Sequence, residues 1–152
     1  MIFKFLHVAT MFTAVAASIG PSYVLQRVSR NATVPTIRSV FALAAPAFKA
    51  IPILFGVGAL LGIVTAFTEG RSLLQPWLLI AYVMFAMATF VGIRFNTPWF
   101  QRVVKASAES PDGAPSTELT AVLNEPNMRW VDWFDRIIIL AFLVDMVFKP
   151  FS

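Results

Sequence analysis

The chain has 152 residues, of which 58% are hydrophobic and only 13% charged, with no cysteine and a single histidine. That balance lies far from soluble domains, and it excludes disulfides, thiolate metal ligands and a cysteine nucleophile. The net charge of +4 does not indicate nucleic-acid binding, because the aromatic residues lie in the apolar stretches rather than beside the basic ones; basic loops facing anionic lipid headgroups are the expectation.

A bilayer core about 30 Å thick is crossed by about 20 helical residues, with a range of about 17–25. Four apolar stretches meet that length: Phe5–Leu25, Ile51–Phe67, Trp77–Ile93 and Trp130–Phe148. They predict an all-α fold, a single membrane domain over 1–152 built as a polytopic four-helix bundle. The N-terminus has Lys4 before the first stretch and, within that stretch, an Ala14-Val15-Ala16 pattern that imitates a signal-peptide cleavage site, yet the apolar run continues to Leu25; an uncleaved first span is expected. Gly20-Pro21-Ser22 is a candidate kink within it.

Between spans one and two, Thr36–Ala47 is apolar on one side with Arg38 near its start. It is too short to cross and is set off by Lys49, which predicts an interfacial amphipathic helix, with Pro46 and Pro52 then turning the chain into the membrane. The Asn31-Ala32-Thr33 triplet matches a glycosylation acceptor by chance only, since it falls on the expected cytoplasmic side. After span three, a polar connection runs over about Phe95–Arg129. Within it, 107–126 is rich in Ser, Pro, Gly and acids, and predicts a flexible loop with a short helical turn near Glu118–Leu123. Trp77 and Tyr82, Trp99, and Trp130 with Trp133 flank spans three and four as aromatic belts.

Orientation follows from the cations. Arg27, Arg30, Arg38, Lys49, Arg94, Arg102, Lys105, Arg129 and Arg136 fall on the side of the two longer loops, against Lys4, Arg71 and Lys149 on the other. The expectation is a multi-pass protein of the plasma (inner) membrane with both termini outside the cytoplasm.

Small residues four apart mark helix contacts in lipid. The pairs are Ala9/Thr13 and Ala16/Gly20 in span one, Gly58/Gly62 in span two and Ala88/Gly92 in span three. They serve packing within the chain, self-association, or docking to another membrane subunit. Ionisable groups inside spans are the first place to look for function. His7 could ligate haem b, with a methionine (Met11, Met84, Met87 or Met146) or a partner supplying the second ligand, or it could simply bond a neighbouring carbonyl or a lipid phosphate. Asp145 and Lys149 stand four apart and predict an intramembrane ion pair, with a proton or cation site as the functional alternative. Asp132 and Arg136 repeat that spacing where span four begins, with Asp135 beside them. No nucleophile–base–orienter set, phosphate cradle or two-histidine metal motif occurs.

Lys4-Phe5-Leu6-His7-Val8, the basic amphipathic stretch before span two, and Met146-Val147-Phe148-Lys149-Pro150 together resemble the small four-span bacterial integral membrane proteins grouped as domain of unknown function 2269. The resemblance covers nearly the whole chain and implies a four-helix protein of a bacterial inner membrane. That family has no established activity, so no catalytic role follows from it. More weakly, the early Leu6-His7 is similar to the first span of haem-dependent membrane protoporphyrinogen oxidases and copper-resistance D-type proteins, which implies His7 as a haem ligand. This chain departs from their pattern in having no second histidine. The leading expectation is a non-enzymatic accessory or structural subunit packing beside other membrane proteins. A b-type haem protein using His7 and a small transporter or proton pathway through Asp145 are the alternatives.

Overall fold

The computed structural model describes residues 1–149, without the side chains of 20–23 and 29–31. Helices account for nearly all of it, and no strand occurs among the described residues. The order is α1 (Ile2–Asn31), α2 (Val34–Thr68), α3 (Pro76–Val91), a π-helical turn (Gly92–Asn96), α4 (Thr97–Glu109), α5 (Thr117–Leu123) and α6 (Pro126–Phe148). Three helical stretches are long and apolar enough to cross a membrane: Ile2–Val28, Val34–Thr68 and Pro76–Glu109. The charges Asp132, Asp135, Arg136 and Asp145 keep α6 outside that criterion. The kink expected at Gly20-Pro21-Ser22 lies outside the described side chains.

The termini of these helices follow from local chemistry. Only Ala32 and Thr33 separate α1 from α2, both in extended conformation, so the two helices fold back on one another as a tight antiparallel hairpin. Pro35 in the first turn of α2 has no N–H to leave unpaired. At its far end α2 closes in a Schellman motif. Gly70 takes φ +66°, its N–H donates to the Phe67 carbonyl at 3.0 Å, and the Arg71 N–H reaches back to Ala66 at 2.9 Å.

The amphipathic stretch Thr36–Ala47 is not a separate interfacial helix. It is the first part of α2, which runs unbroken through Pro46 and Pro52 for 35 residues. At 1.5 Å per residue that is about 52 Å, well beyond the hydrocarbon thickness. The stretch from Ala50 to Thr68 alone covers about 28 Å, close to the hydrocarbon thickness, which leaves Val34–Lys49 as additional length. A second continuation occurs after span three. Pro98 lacks the N–H that an α-helix would donate to residue 94, and the chain answers with a π turn in which the Thr97 N–H donates to Gly92. The helix thereby passes into α4 instead of ending at Ile93.

These two extensions build a head. Leu25 from α1, Val34, Ile37 and Phe41 from α2, Trp99, Phe100, Val103 and Ala106 from α4, and Leu119 and Val122 from α5 form one buried core. Phe100 stacks between Phe48 and Phe41, at centroid distances of 4.2 and 5.4 Å, and Trp99 leans on Phe41 at 5.8 Å. Trp99 is therefore a core residue whose indole N–H donates to the Val122 carbonyl at 3.1 Å, not a belt residue. Trp130 and Trp133 stay exposed, as a belt requires.

The helical turn expected near Glu118–Leu123 is α5, while the flexible polar loop expected around it over 107–126 is held at several points. Ser110 Oγ donates to the Ala106 carbonyl (2.7 Å), accepts the Ser116 N–H (3.2 Å) and lies 2.8 Å from Ser116 Oγ. Ser116 in turn caps α5 by accepting the Leu119 N–H at 3.1 Å. Arg38 closes the turn from outside. Its guanidinium donates to the carbonyls of Ser107 (3.0 Å) and Ser110 (3.1 Å) and pairs with Asp112 at 3.1 Å. It thus covers carbonyls at the C-terminus of α4 with positive charge.

Candidate functional site

Packing in the apolar layer is organised as two hairpins rather than as an evenly packed bundle. α1 lies along α2, and α6 lies along α3. The hairpins join through the head at one end and through Ala66, Trp77 and Leu78, with Leu73 and Met146, at the other.

The α1–α2 seam contains His7. On α1, His7, Met11, Ala14 and Ser18 recur at three–four spacing on one face, with Ala14 fully buried. Facing them are Gly58 and Gly62 of α2. A Cβ at Gly62 would lie 2.9 Å from His7 Cε1, and one at Gly58 would lie 2.5 Å from Met11 Sδ. The absence of both side chains lets the imidazole reach the α2 backbone, where Nδ1 lies 2.7 Å from the Gly58 carbonyl oxygen. A carbonyl only accepts, so Nδ1 carries a proton and Nε2 is the ring nitrogen left free to face a second partner. A ring N–H donated to a backbone carbonyl is also found in metal-ligating histidines, where it orients the ring. Among the described residues no cluster of three or more His, Asp or Glu is placed to hold a metal ion.

The other small-residue pairs fare differently. Ala88 lies half-buried on the α3 face formed with Trp77, Ala81, Met84 and Val91. Gly92 sits in the π turn, where an added Cβ would meet nothing within 4 Å. Ala16 is exposed, and the surroundings of Gly20 are outside the described side chains. Span one thus makes its close approach at Ala14, not at Ala16.

The α3–α6 seam contains Asp145. Val131, Ile138 and Asp145 are the buried residues of α6, spaced by seven on one stripe. The expected Asp145–Lys149 ion pair is not formed. Lys149 caps α6 in the left-handed region, φ 43°, and its ammonium lies over the Trp77 ring at 5.4 Å. Asp145 is 4% exposed, and neither carboxylate oxygen has a hydrogen-bond partner among the described residues. The left-handed turn explains the separation: Lys149 leaves the helix before its side chain can lie along Asp145. The second spacing does pair, Arg136 to Asp132 at 2.7 Å.

Two polar links escaped the sequence reading. Asn96 Nδ2 donates to Asp135 Oδ2 at 2.7 Å, tying the π turn to α6. Glu69 joins the start of α1 to the α2–α3 turn, with Lys4 at 3.0 Å and Arg71 at 2.9 Å on its two oxygens. Hydrogen bonds from Lys4 and then Arg71 hold the Glu69 carboxyl down at about 2. Both links needed pairing across helices, which residue spacing alone does not disclose. No family model matches this chain, and no curated protein and no solved structure matches it.

Proposed function

We propose that this chain is a non-catalytic integral membrane protein that crosses the bilayer four times and packs beside other membrane proteins as an accessory subunit. The observation that carries the reading is the contrast between head and spans. The best-buried side chains cluster in the head, while only 6% of the apolar window in α1 and 11% of that in α2 is buried. Phe12, Val57, Leu60 and Phe67 all stand exposed, surface that only lipid or another membrane helix covers without cost. A fourth crossing by α6 is supported by its outward row Ile137, Leu140, Leu143, Val144 and Val147. Three of the charges near its start, Asp132, Asp135 and Arg136, are matched within the chain by the Asp132–Arg136 and Asn96–Asp135 contacts. The distribution of lysine and arginine supports a cytoplasmic head, with both termini on the opposite side of a plasma membrane.

Purification from the native membrane in mild detergent, with photo-crosslinkers at positions 12, 57 and 60, tests the subunit reading. A specific membrane protein crosslinked at these positions is the expected result. A strictly monomeric protein with no crosslinked partner would overturn it.

Asp145 favours a second reading. A carboxyl group buried between two membrane helices without a partner is where a proton or small cation is taken up in transport. Flux in proteoliposomes that is unaltered by Asp145→Asn would eliminate this reading.

A further inference from the structure

Where α3 passes through the π turn, a cavity of about 390 Å³ is lined by Arg94, Phe95, Pro98, Arg102, Glu125, Asn127 and Met128. Its volume falls in the range of small-molecule sites, about 300–1,000 Å³. Arg94, Pro98 and Arg102 follow one another at spacing four and share one side of the helix, while the opposite wall is the start of α6. Arg102 is fixed in place by Glu125 at 2.7 Å. Arg94 lies over the Phe95 ring at 5.6 Å, and no carboxylate pairs with it among the described residues. Two guanidinium groups against one carboxylate leave the cavity with a net positive charge.

Its depth identifies the ligand. Arg94 directly follows Ile93, an exposed residue closing the apolar run of α3, and Trp130 and Trp133, just beyond the Met128 wall, are exposed as at a headgroup boundary. We infer that this cavity binds the phosphate of an anionic phospholipid, with Arg94 as the charged ligand-binding residue and Arg102 positioned beside it by Glu125. Guanidinium groups suit phosphate because their planar donors meet two oxygens at once. The exposed acyl-facing residues Phe90 and Ile93 continue from the cavity toward the bilayer core, where the tails belong. The inference rests on the membrane placement of α3. That placement is checked separately, since extraction from membranes by alkaline carbonate alone would refute it without any lipid measurement.

The experiment uses the full chain, delipidated in a neutral detergent, with thermal melting followed during titration with phosphatidylglycerol, phosphatidylcholine or glycerol 3-phosphate. Phosphatidylglycerol is expected to raise the melting temperature saturably, and the other two are not. Arg94→Gln is expected to raise the half-saturating phosphatidylglycerol concentration about tenfold, the loss of one charge-assisted contact. Lys105→Gln, an exposed cation of α4 outside the cavity, is expected to leave it unchanged. Equal weakening by Lys105→Gln would show diffuse surface attraction and overturn the site. An equal response to phosphatidylcholine would overturn it as well, and a full response to glycerol 3-phosphate would reassign the ligand from lipid to a soluble phosphate ester. Among the described residues Arg94 makes no hydrogen bond or ion pair, only the contact with the neighbouring Phe95 ring, so its variant remains a fair test.

Discussion

Gly58 and Gly62 face the same helix but differ in what a side chain there would displace. At Gly58 the obstacle is the end of Met11, a flexible thioether that can swing aside. At Gly62 it is the His7 ring, held by its hydrogen bond to Gly58. Gly62→Ala is therefore expected to destabilise the hairpin by about 1–3 kcal/mol, the usual range for overpacking, and Gly58→Ala by less. Thermal melting in detergent orders the two, and an equal effect would refute the argument. His7→Ala in the Gly62→Ala background should recover part of the loss. If His7 serves packing, the variant leaves the visible absorption of the purified protein unchanged; a Soret band that vanishes with His7 would establish haem instead. Glu69 makes a pH prediction. Its carboxyl is held at about 2 against an ordinary 4.5, so its pairing stabilises fully above the ordinary value. That stabilisation is lost as the pH falls from 4.5 toward 2. Glu69→Gln should flatten this part of the acid melting profile. The histidine was legible as the one imidazole in an apolar span. Its partner was not, because a backbone carbonyl has no signature in the sequence and becomes available only through the register of α1 on α2.

At the scale of elements, the head was the least legible part of the chain. Pro46 and Pro52 read as turning the chain into the membrane, and 107–126 read as a mobile connection with a short helical turn near Glu118–Leu123, of which the helical turn is present as α5. Both readings weighed local propensity, whereas the chain stays helical through Pro46 and Pro52 and Leu119 and Val122 of α5 are buried with Trp99, Phe100 and Val103 of α4. Ile37, Phe41, Trp99 and Val103 do carry a helical repeat, but the repeat is split between two segments distant in sequence. Phe41, fully buried among Phe100 and Trp99, is expected to cost about 3–5 kcal/mol when truncated to Ala. Hydrogen exchange should then rise in α4 and α5 together, while the α1–α2 seam near His7 keeps its protection. Arg38→Ala leaves the carbonyls of Ser107 and Ser110 without their donor, and proteolysis within 110–116 is expected to accelerate in that variant. An unchanged cleavage rate would mean that the serine contacts alone hold the turn.

For the whole molecule, the arrangement predicts sidedness. α1 and α2 form one antiparallel hairpin and α3 and α6 another, so the head and the Glu69 turn lie at opposite ends. The cysteine-free chain accepts single reporters directly. A maleimide that does not cross the membrane is expected to label Ser72→Cys in intact cells, and Ala108→Cys only after permeabilisation. Labelling of both from outside would refute the crossing by α3. The same end-to-end separation explains why the molecule holds together although the hairpins share little surface between their ends: the head core joins them on one side and the Trp77 contact on the other.

Helices long and apolar enough to cross a membrane, within an all-helical fold, were legible from the sequence alone, because long apolar runs have few solutions in lipid other than hydrogen-bonded helices. The helix-spaced glycines of α2 also marked a contact face in advance, since close approach requires small residues wherever the partner lies. Tertiary structure decided the rest. It set which helix each face meets, turned an apparent loop into part of a core, parted Asp145 from Lys149 through a left-handed turn, and gathered Arg94 and Arg102 beside Glu125. Each of these depends on distances between segments far apart in the chain, and local periodicity carries no record of them.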